Sequence, residues 1–341
     1  MAFAGHCFMF TLLLFLGLGK CMVLRNNSTV EATYICGSRQ IKPHPRNLKG
    51  PLGIVNGKEV RPEHSQPWVV GFVNRTYTKT GCGGTLIHPK FVLSAWHCFH
   101  NEKKRRQRMY AVLGLHDHAN PNPNTVQYIK IKQHFKDPRI WHYPSIDYDL
   151  GLLELEYSAK LGEEYPYVGT ACLPNPYYSY DGQSVMTSGW GSRRARPPIF
   201  SQVEWDSMQS EIRSRDPLMT VSLEVVPYEE CENILKKVDP KIQGMGRWWI
   251  CAAGQNPVVN GTFGDACGGD SGGPLTWTDP EWDTTYLIGV VQRGLGCGWH
   301  YVDEEKGHSA IPGIYARVAD PYVIQWIDDC IKRHRCNLPV R

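Results

Sequence analysis

From Ile54 onward the chain is cut into short β-branched and aromatic runs separated by turn residues: Phe91-Val-Leu-Ser94, Met109-Tyr-Ala-Val-Leu113, Leu150 to Leu155, Val221-Ser-Leu-Glu-Val-Val226 and Tyr286 to Val291. Runs of this length and composition are strands. An all-β domain follows. Only the last segment, Tyr322 to Arg333, sets Val323, Ile327 and Ile331 at helical spacing with charges between them, which predicts one C-terminal helix. With 42% hydrophobic and 21% charged residues, the 341-residue chain has enough apolar material for an ordinary core. No internal repeat or low-complexity tract interrupts it.

The first residues differ in kind. An uncharged start leads into an apolar run from Cys7 to Gly19 that ends in small residues, the pattern of a secretory signal peptide over residues 1–19, with the end falling between 19 and 21. That run is too short to span a bilayer of roughly 30 Å. The expectation is therefore an exported, extracellular protein with no membrane partner. Twelve cysteines in such a chain point to disulfides rather than a metal site, and no C-x-x-C cluster appears. The Asn-x-Ser/Thr acceptors at Asn26, Asn27, Asn74 and Asn260 suit passage through a secretory pathway. Residues 20–53, rich in Pro, Lys, Arg and Asn and without strand or helix period, are expected to be a propeptide. Net charge +4 is mild, so no nucleic-acid partner is implied. The run Lys103-Lys-Arg-Arg-Gln-Arg108 could hold an acidic polysaccharide or protein surface.

The segment Gly264-Asp-Ala-Cys-Gly-Gly-Asp-Ser-Gly-Gly-Pro274 surrounds Ser271 with glycines that let backbone amides approach a reacting carbonyl. Upstream, Leu93-Ser-Ala-Trp-His-Cys98 places His97 at a strand end, and Asp147-Tyr-Asp-Leu150 places Asp149 at the start of a buried strand. A serine hydroxyl is a weak nucleophile at neutral pH. It needs a neutral imidazole to take its proton and a carboxylate to hold that imidazole in the right tautomer. Ser271, His97 and Asp149 fill those roles, with no metal or organic cofactor.

Through Ile54-Val-Asn-Gly, Gly81-Cys-Gly-Gly, Ala95-Trp-His-Cys, Asp149-Leu, Gly189-Trp-Gly and Gly269-Asp-Ser-Gly-Gly-Pro, the chain resembles the trypsin and chymotrypsin family over almost all of 54–331. The resemblance implies two six-stranded antiparallel β-barrels with the triad in the cleft between them, and a protease domain over 54–335. This family is also the general template for the serine, histidine and aspartate triad. The resemblance further implies an oxyanion hole from the amides of Gly269 and Ser271, and Asp265 at the base of a primary pocket walled by Gly294 and Gly313. A carboxylate there favours arginine or lysine side chains through a charge-assisted bond. Implied disulfides join Cys36 to Cys172, Cys82 to Cys98, Cys231 to Cys251 and Cys267 to Cys297. Cys330 and Cys336 are left to pair with each other, and Val185 and Trp277 stand where many relatives have another bridge. Activation is expected to free the amino group of Ile54 to pair with Asp270.

The departures from the family pattern matter as much. Before Ile54 the chain reads Lys49-Gly-Pro-Leu-Gly53, without the basic residue of a tryptic cut. An activating protease of a non-tryptic class is expected, and Pro51-Leu-Gly-Ile54 looks like a matrix metalloproteinase site. Gln292 and Arg293 stand where relatives have Ser and Trp, in a segment that pairs with substrate backbone. Losing the Trp removes an apolar platform for substrate residues before the cut. At about 10 Å and a dielectric of about 20 to 80, the Arg293 charge opposes a bound arginine by roughly 0.4 to 1.7 kcal/mol. Asp265 should outweigh it, with acidic substrate residues favoured nearby. Trp96 replaces a usual Ala and either reshapes the cleft wall or fills core. Ser192 to Pro217, with five arginines, and Gly298 to Ala310 read as insertions. The expectation is a secreted serine endopeptidase zymogen cutting protein or peptide substrates after Arg or Lys. The alternative is a catalytically silent homologue that acts as a binding protein.

Overall fold

The computed structural model describes residues 35–43, 54–74, 79–99, 109–141, 148–198, 217–242, 246–258, 261–303, 307–333 and 336. The expected signal peptide, the leader segments 20–34 and 44–53, the acceptors Asn26, Asn27 and Asn260, the basic run 103–108 and most of the insertion 192–217 lie outside them.

In chain order the strands are β1 (Lys58–Glu59), β2 (Val69–Val73), β3 (Lys79–His88), β4 (Phe91–Ala95), β5 (Tyr110–Leu113), β6 (Gln127–Lys136), β7 (Leu150–Leu155), β8 (Ser184–Gly189), β9 (Met219–Val226), β10 (Trp249–Ala253), β11 (Pro274–Thr278), β12 (Thr285–Arg293), β13 (His300–Asp303), β14 (Gly307–Ala310) and β15 (Gly313–Arg317). Six of them close the first barrel in the order β2-β3-β4-β7-β6-β5. In the second sheet, β9 pairs with β8 as well as β10, so β8-β9-β10-β15-β12-β11 also closes, with the two-residue β1 attached to β9. Two six-stranded antiparallel barrels are the result. The expected insertion at 298–310 carries its own hairpin, β13 paired with β14.

Each barrel is filled by one face of its strands, and a third cluster seals the seam. Phe72, Leu86, Val92, Leu113, Ile129, Leu153 and Leu155 fill the first barrel. Val221, Leu223, Ile250, Leu275, Ile288 and Val291 fill the second, where Val185 and Trp277 share the same cluster. Between them lie Leu93, Ala95, Leu150, Leu152, Val290 and Ala316, capped by Val323, Trp326 and Ile327. This accounts for the largely apolar runs of β4 and β7, every residue of which is buried, with Ser94 and Glu154 as the polar exceptions. Alternate side chains face the barrel interior and the seam, so both faces are mainly apolar, and Ser94 and Glu154 are buried with hydrogen-bond partners.

Among the described residues two α-helices are present, where the sequence pattern predicts one. α1 (Tyr228–Val238) turns Cys231, Ile234 and Leu235 inward and keeps its charges outside, and the Cys231–Cys251 disulfide ties it to β10. α2 (Pro321–Arg333) is the C-terminal helix, and Cys330 bonds to Cys336 just beyond it. The described leader residues pack on the second barrel. Cys36 is bonded to Cys172, the Arg39 guanidinium donates to Thr278 Oγ1 at 3.2 Å and Thr285 Oγ1 at 3.3 Å, and Lys42 pairs with Asp283 at 2.9 Å.

Candidate active site

The register of β4 against β7 pairs Ala95 with Leu150, which sets the 3-10 turn Trp96–Cys98 beside Asp149. Asp149 is 4% exposed. Its Oδ2 lies 2.5 Å from His97 Nδ1, and its Oδ1 accepts the His97 backbone N–H at 2.7 Å. One carboxylate thus orients both the ring and the backbone that carries it. With Nδ1–H donated to Asp149, the second ring nitrogen keeps its lone pair for a proton. The Cys82–Cys98 disulfide pins the turn to β3. Cys82, His97 and Cys98 come together as a group, but both sulfurs are spent in that bond. Trp96 is half-buried, its ring against Gly151 of β7.

Ser271 sits in a loop of the second barrel that is bonded to the first. Gly83 N–H of β3 donates to the Ser271 carbonyl at 2.8 Å, and Ser94 Oγ of β4 donates to the Gly83 carbonyl at 2.7 Å. Gly272 follows with φ +80°, and a side chain there would run into Gly83 O and Ser94 Oγ, so glycine is required. Among the described residues, the amides of Gly269 and Ser271 have no hydrogen-bond acceptor. Asp270, 1% exposed, takes the Gly191 amide on Oδ1 at 2.7 Å and the Cys267 amide on Oδ2 at 2.9 Å. Ile54 is fully buried in the second-barrel core, and Val55 exchanges two backbone bonds with Asp265, at 3.1 and 3.2 Å.

His97 and Ser271 line a cavity of about 260 Å³ that also contains Asp265, Gln292, Arg293, Gly294 and Gly313. The Cys267–Cys297 disulfide joins its walls. Asp265 is 4% exposed: Oδ2 accepts the Gly298 amide at 2.9 Å, while Oδ1 is buried without a partner. Burial pushes its pKa up to about 7, against the pull of the Gly298 and Ala266 amides, and nearby Asp270 pushes the same way. A Cβ on Gly313 would sit 2.9 Å from Asp265 Oδ1, so a side chain there would crowd that oxygen. Gly294 lies exposed at the rim, and Gln292 is 4% exposed. Arg293 is exposed, with its guanidinium carbon 4.6 Å from the centre of the Trp249 ring.

Among the lining residues that the sequence reading did not single out are Tyr315 and Arg196. Tyr315 is fully buried beside Asp265, and burial together with that carboxylate raises its hydroxyl well above the usual range. Its position two residues after Gly313 on one strand was the available signal. Arg196 also lines the cavity, and its backbone exchanges two bonds with Cys297, at 2.7 and 3.0 Å. It lies in the arginine-rich insertion 192–217, whose sequence does not say which arginine reaches the cavity.

The trypsin family model matches residues 54–327. The chain belongs to the trypsin family. Among curated proteins it is similar to Ovochymase-2 of Mus musculus, 29% identical over 295 residues that cover 86% of this chain and 43% of the relative. Tissue-type plasminogen activator of Rattus norvegicus is 29% identical over 310 residues, 87% and 47% of the two chains. Mannan-binding lectin serine protease 1 of Rattus norvegicus is 29% identical over 258 residues, 72% and 32%. This trypsin-family chain therefore spans less than half the length of these relatives. No described helix is long and apolar enough to cross a membrane.

Proposed function

We propose that this chain is an exported serine endopeptidase, made as a zymogen, that cuts peptide bonds after arginine or lysine. The observation that carries the specificity is the buried, unpartnered Oδ1 of Asp265 in the cavity shared by His97 and Ser271. An arginine or lysine side chain entering the cavity would give that oxygen a charged donor and leave the attached peptide bond near Ser271. Ser271 Oγ attacks the carbonyl carbon as the second nitrogen of His97 takes its proton. The amides of Gly269 and Ser271 receive the negative charge that develops on the carbonyl oxygen. Asp149 stabilises the imidazolium, which passes the proton to the leaving amine as the C–N bond breaks and an acyl ester forms on Ser271. Water, deprotonated by His97, then releases the acid and restores the serine. We assign activation to a cut at Gly53–Ile54 by a non-tryptic protease, which frees Ile54 to reach Asp270. The buried position of Ile54 and the glycine-lined cradle at Asp270 support that assignment.

The test is hydrolysis of fluorogenic Arg, Lys, Phe and Ala peptides by protein given an Ile54 terminus in vitro, beside uncut protein and a Ser271→Ala control. Arg and Lys turnover that appears on cutting, and falls by about 10⁴-fold or more in the control, is expected. Silence with the Ile54 terminus verified by sequencing would favour a binding homologue.

A further inference from the structure

We propose that His300 and His308 form a binding site for a divalent transition ion of the zinc class, outside the catalytic machinery. Both belong to the insertion 298–310, whose hairpin of β13 and β14 pairs with no other strand among the described residues. Pairing of His300 with Ala310 and of Val302 with His308 sets the two histidines on one face, diagonally across the strands. Their ring centroids are 4.4 Å apart and their planes stand at 84°. The opposite face is already covered: Tyr301 packs against the cluster of Leu235, Trp249 and Ile311, with Lys237 Nζ 5.9 Å from its ring.

Imidazole nitrogens suit borderline ions such as Zn²⁺, whereas Ca²⁺ and Mg²⁺ take oxygen ligands. Two imidazoles on one tetrahedral Zn²⁺, each at about 2.0–2.1 Å, place their ligating nitrogens about 3.3 Å apart. Rings with centroids 4.4 Å apart reach that separation by small turns of the side chains, and His308 is exposed. His300 is the better held of the two. The Trp299 ring lies 5.5 Å from it at an angle of 12°, and the base of the hairpin is fixed: the Trp299 carbonyl accepts the Ile311 amide at 3.0 Å, and the Gly298 amide donates to Asp265 at 2.9 Å. His300 Nδ1 is buried with no hydrogen-bond partner. A ring in that state has given up water at one nitrogen without gaining a bond, and ligation to an ion offsets the loss. The ion would also act on the hairpin itself. Two strands without a third are marginal in water, and an ion shared between β13 and β14 favours their paired form.

Calorimetric titration of the full, uncut chain with ZnCl₂, beside His300→Ala, His308→Ala and the double variant, tests this. The parent should take up one more equivalent of Zn²⁺ than the double variant, with a dissociation constant on the order of 10 µM. Each single variant should bind that equivalent about tenfold more weakly or worse. CaCl₂ and MgCl₂ should give the same heats in the parent and the double variant. A second measurement needs only the parent, so it does not depend on how the variants fold: ZnCl₂ should slow amide hydrogen exchange in β13 and β14 by about threefold or more. Equal Zn²⁺ uptake by the parent and the double variant would place the metal elsewhere and overturn the proposal. So would exchange in β13 and β14 that saturating ZnCl₂ leaves unchanged.

Discussion

A carboxyl group that titrates near neutrality makes ligand capture pH-dependent. Asp265 is pushed to about 7 by burial, and only its ionised form attracts a cation. Affinity for a cationic probe such as benzamidine should therefore fall up to about tenfold per unit as pH drops below about 7, and level off above it. The Ser271→Ala variant, followed by calorimetry between about pH 5 and 9, isolates this from the titration of the nucleophile's partners. A flat profile would mean that Asp265 stays ionised throughout. Asp265→Asn should weaken the probe by about a hundredfold or more, as for one lost partner of a buried charged pair. Asp265 could be picked from the sequence because it stands six residues before Ser271 inside a distinctive loop. The unpartnered oxygen could not, since it depends on Gly298 and Gly313, which reach the carboxylate from other segments.

The strands that lead to His97 and from Asp149 are apolar on both faces, Ser94 and Glu154 apart, because one side fills a barrel and the other seals the seam. Leu152 belongs to the seam and Leu153 to the barrel interior, and both are fully buried. Leu152→Ala and Leu153→Ala should each cost about 2–5 kcal/mol by chemical denaturation. Ser222→Ala, on the exposed face of β9, should stay within about 0.5 kcal/mol. If one leucine proved neutral, the two-sided account of β7 would be wrong. Such runs announce themselves in the sequence as strands, as do the boundaries of β4 and β7 to within a residue. α1 does not, although Cys231, Ile234, Leu235 and Val238 fall at helical spacing. Its apolar stripe is narrow and its remaining residues are charged or polar, so the segment looks like solvated loop until β10 and the Cys231–Cys251 bond supply the surface it covers. The Arg293–Trp249 contact was hidden for a related reason: its partners are distant in the chain and meet only across paired strands.

At the scale of the whole molecule, the leader is fastened by more than the peptide bond to Ile54. Cys36–Cys172, the Arg39 bonds and the Lys42–Asp283 pair hold its described part to the second barrel. After the proposed cut at Gly53, electrophoresis without reductant should show one species of unchanged mass. Reductant, or Cys36→Ser, should split it into two; two species without reductant in the parent protein would mean that Cys36–Cys172 does not hold the leader. The tie also changes the thermodynamics of the cut. A leader released into solution would be diluted to nothing, whereas a segment anchored at Cys36 stays at an effective concentration on the order of millimolar beside the surface it left. Its return is then a first-order event that no dilution can suppress. Any contact that the leader keeps with the domain after the cut is therefore set within each molecule and not by the protein concentration.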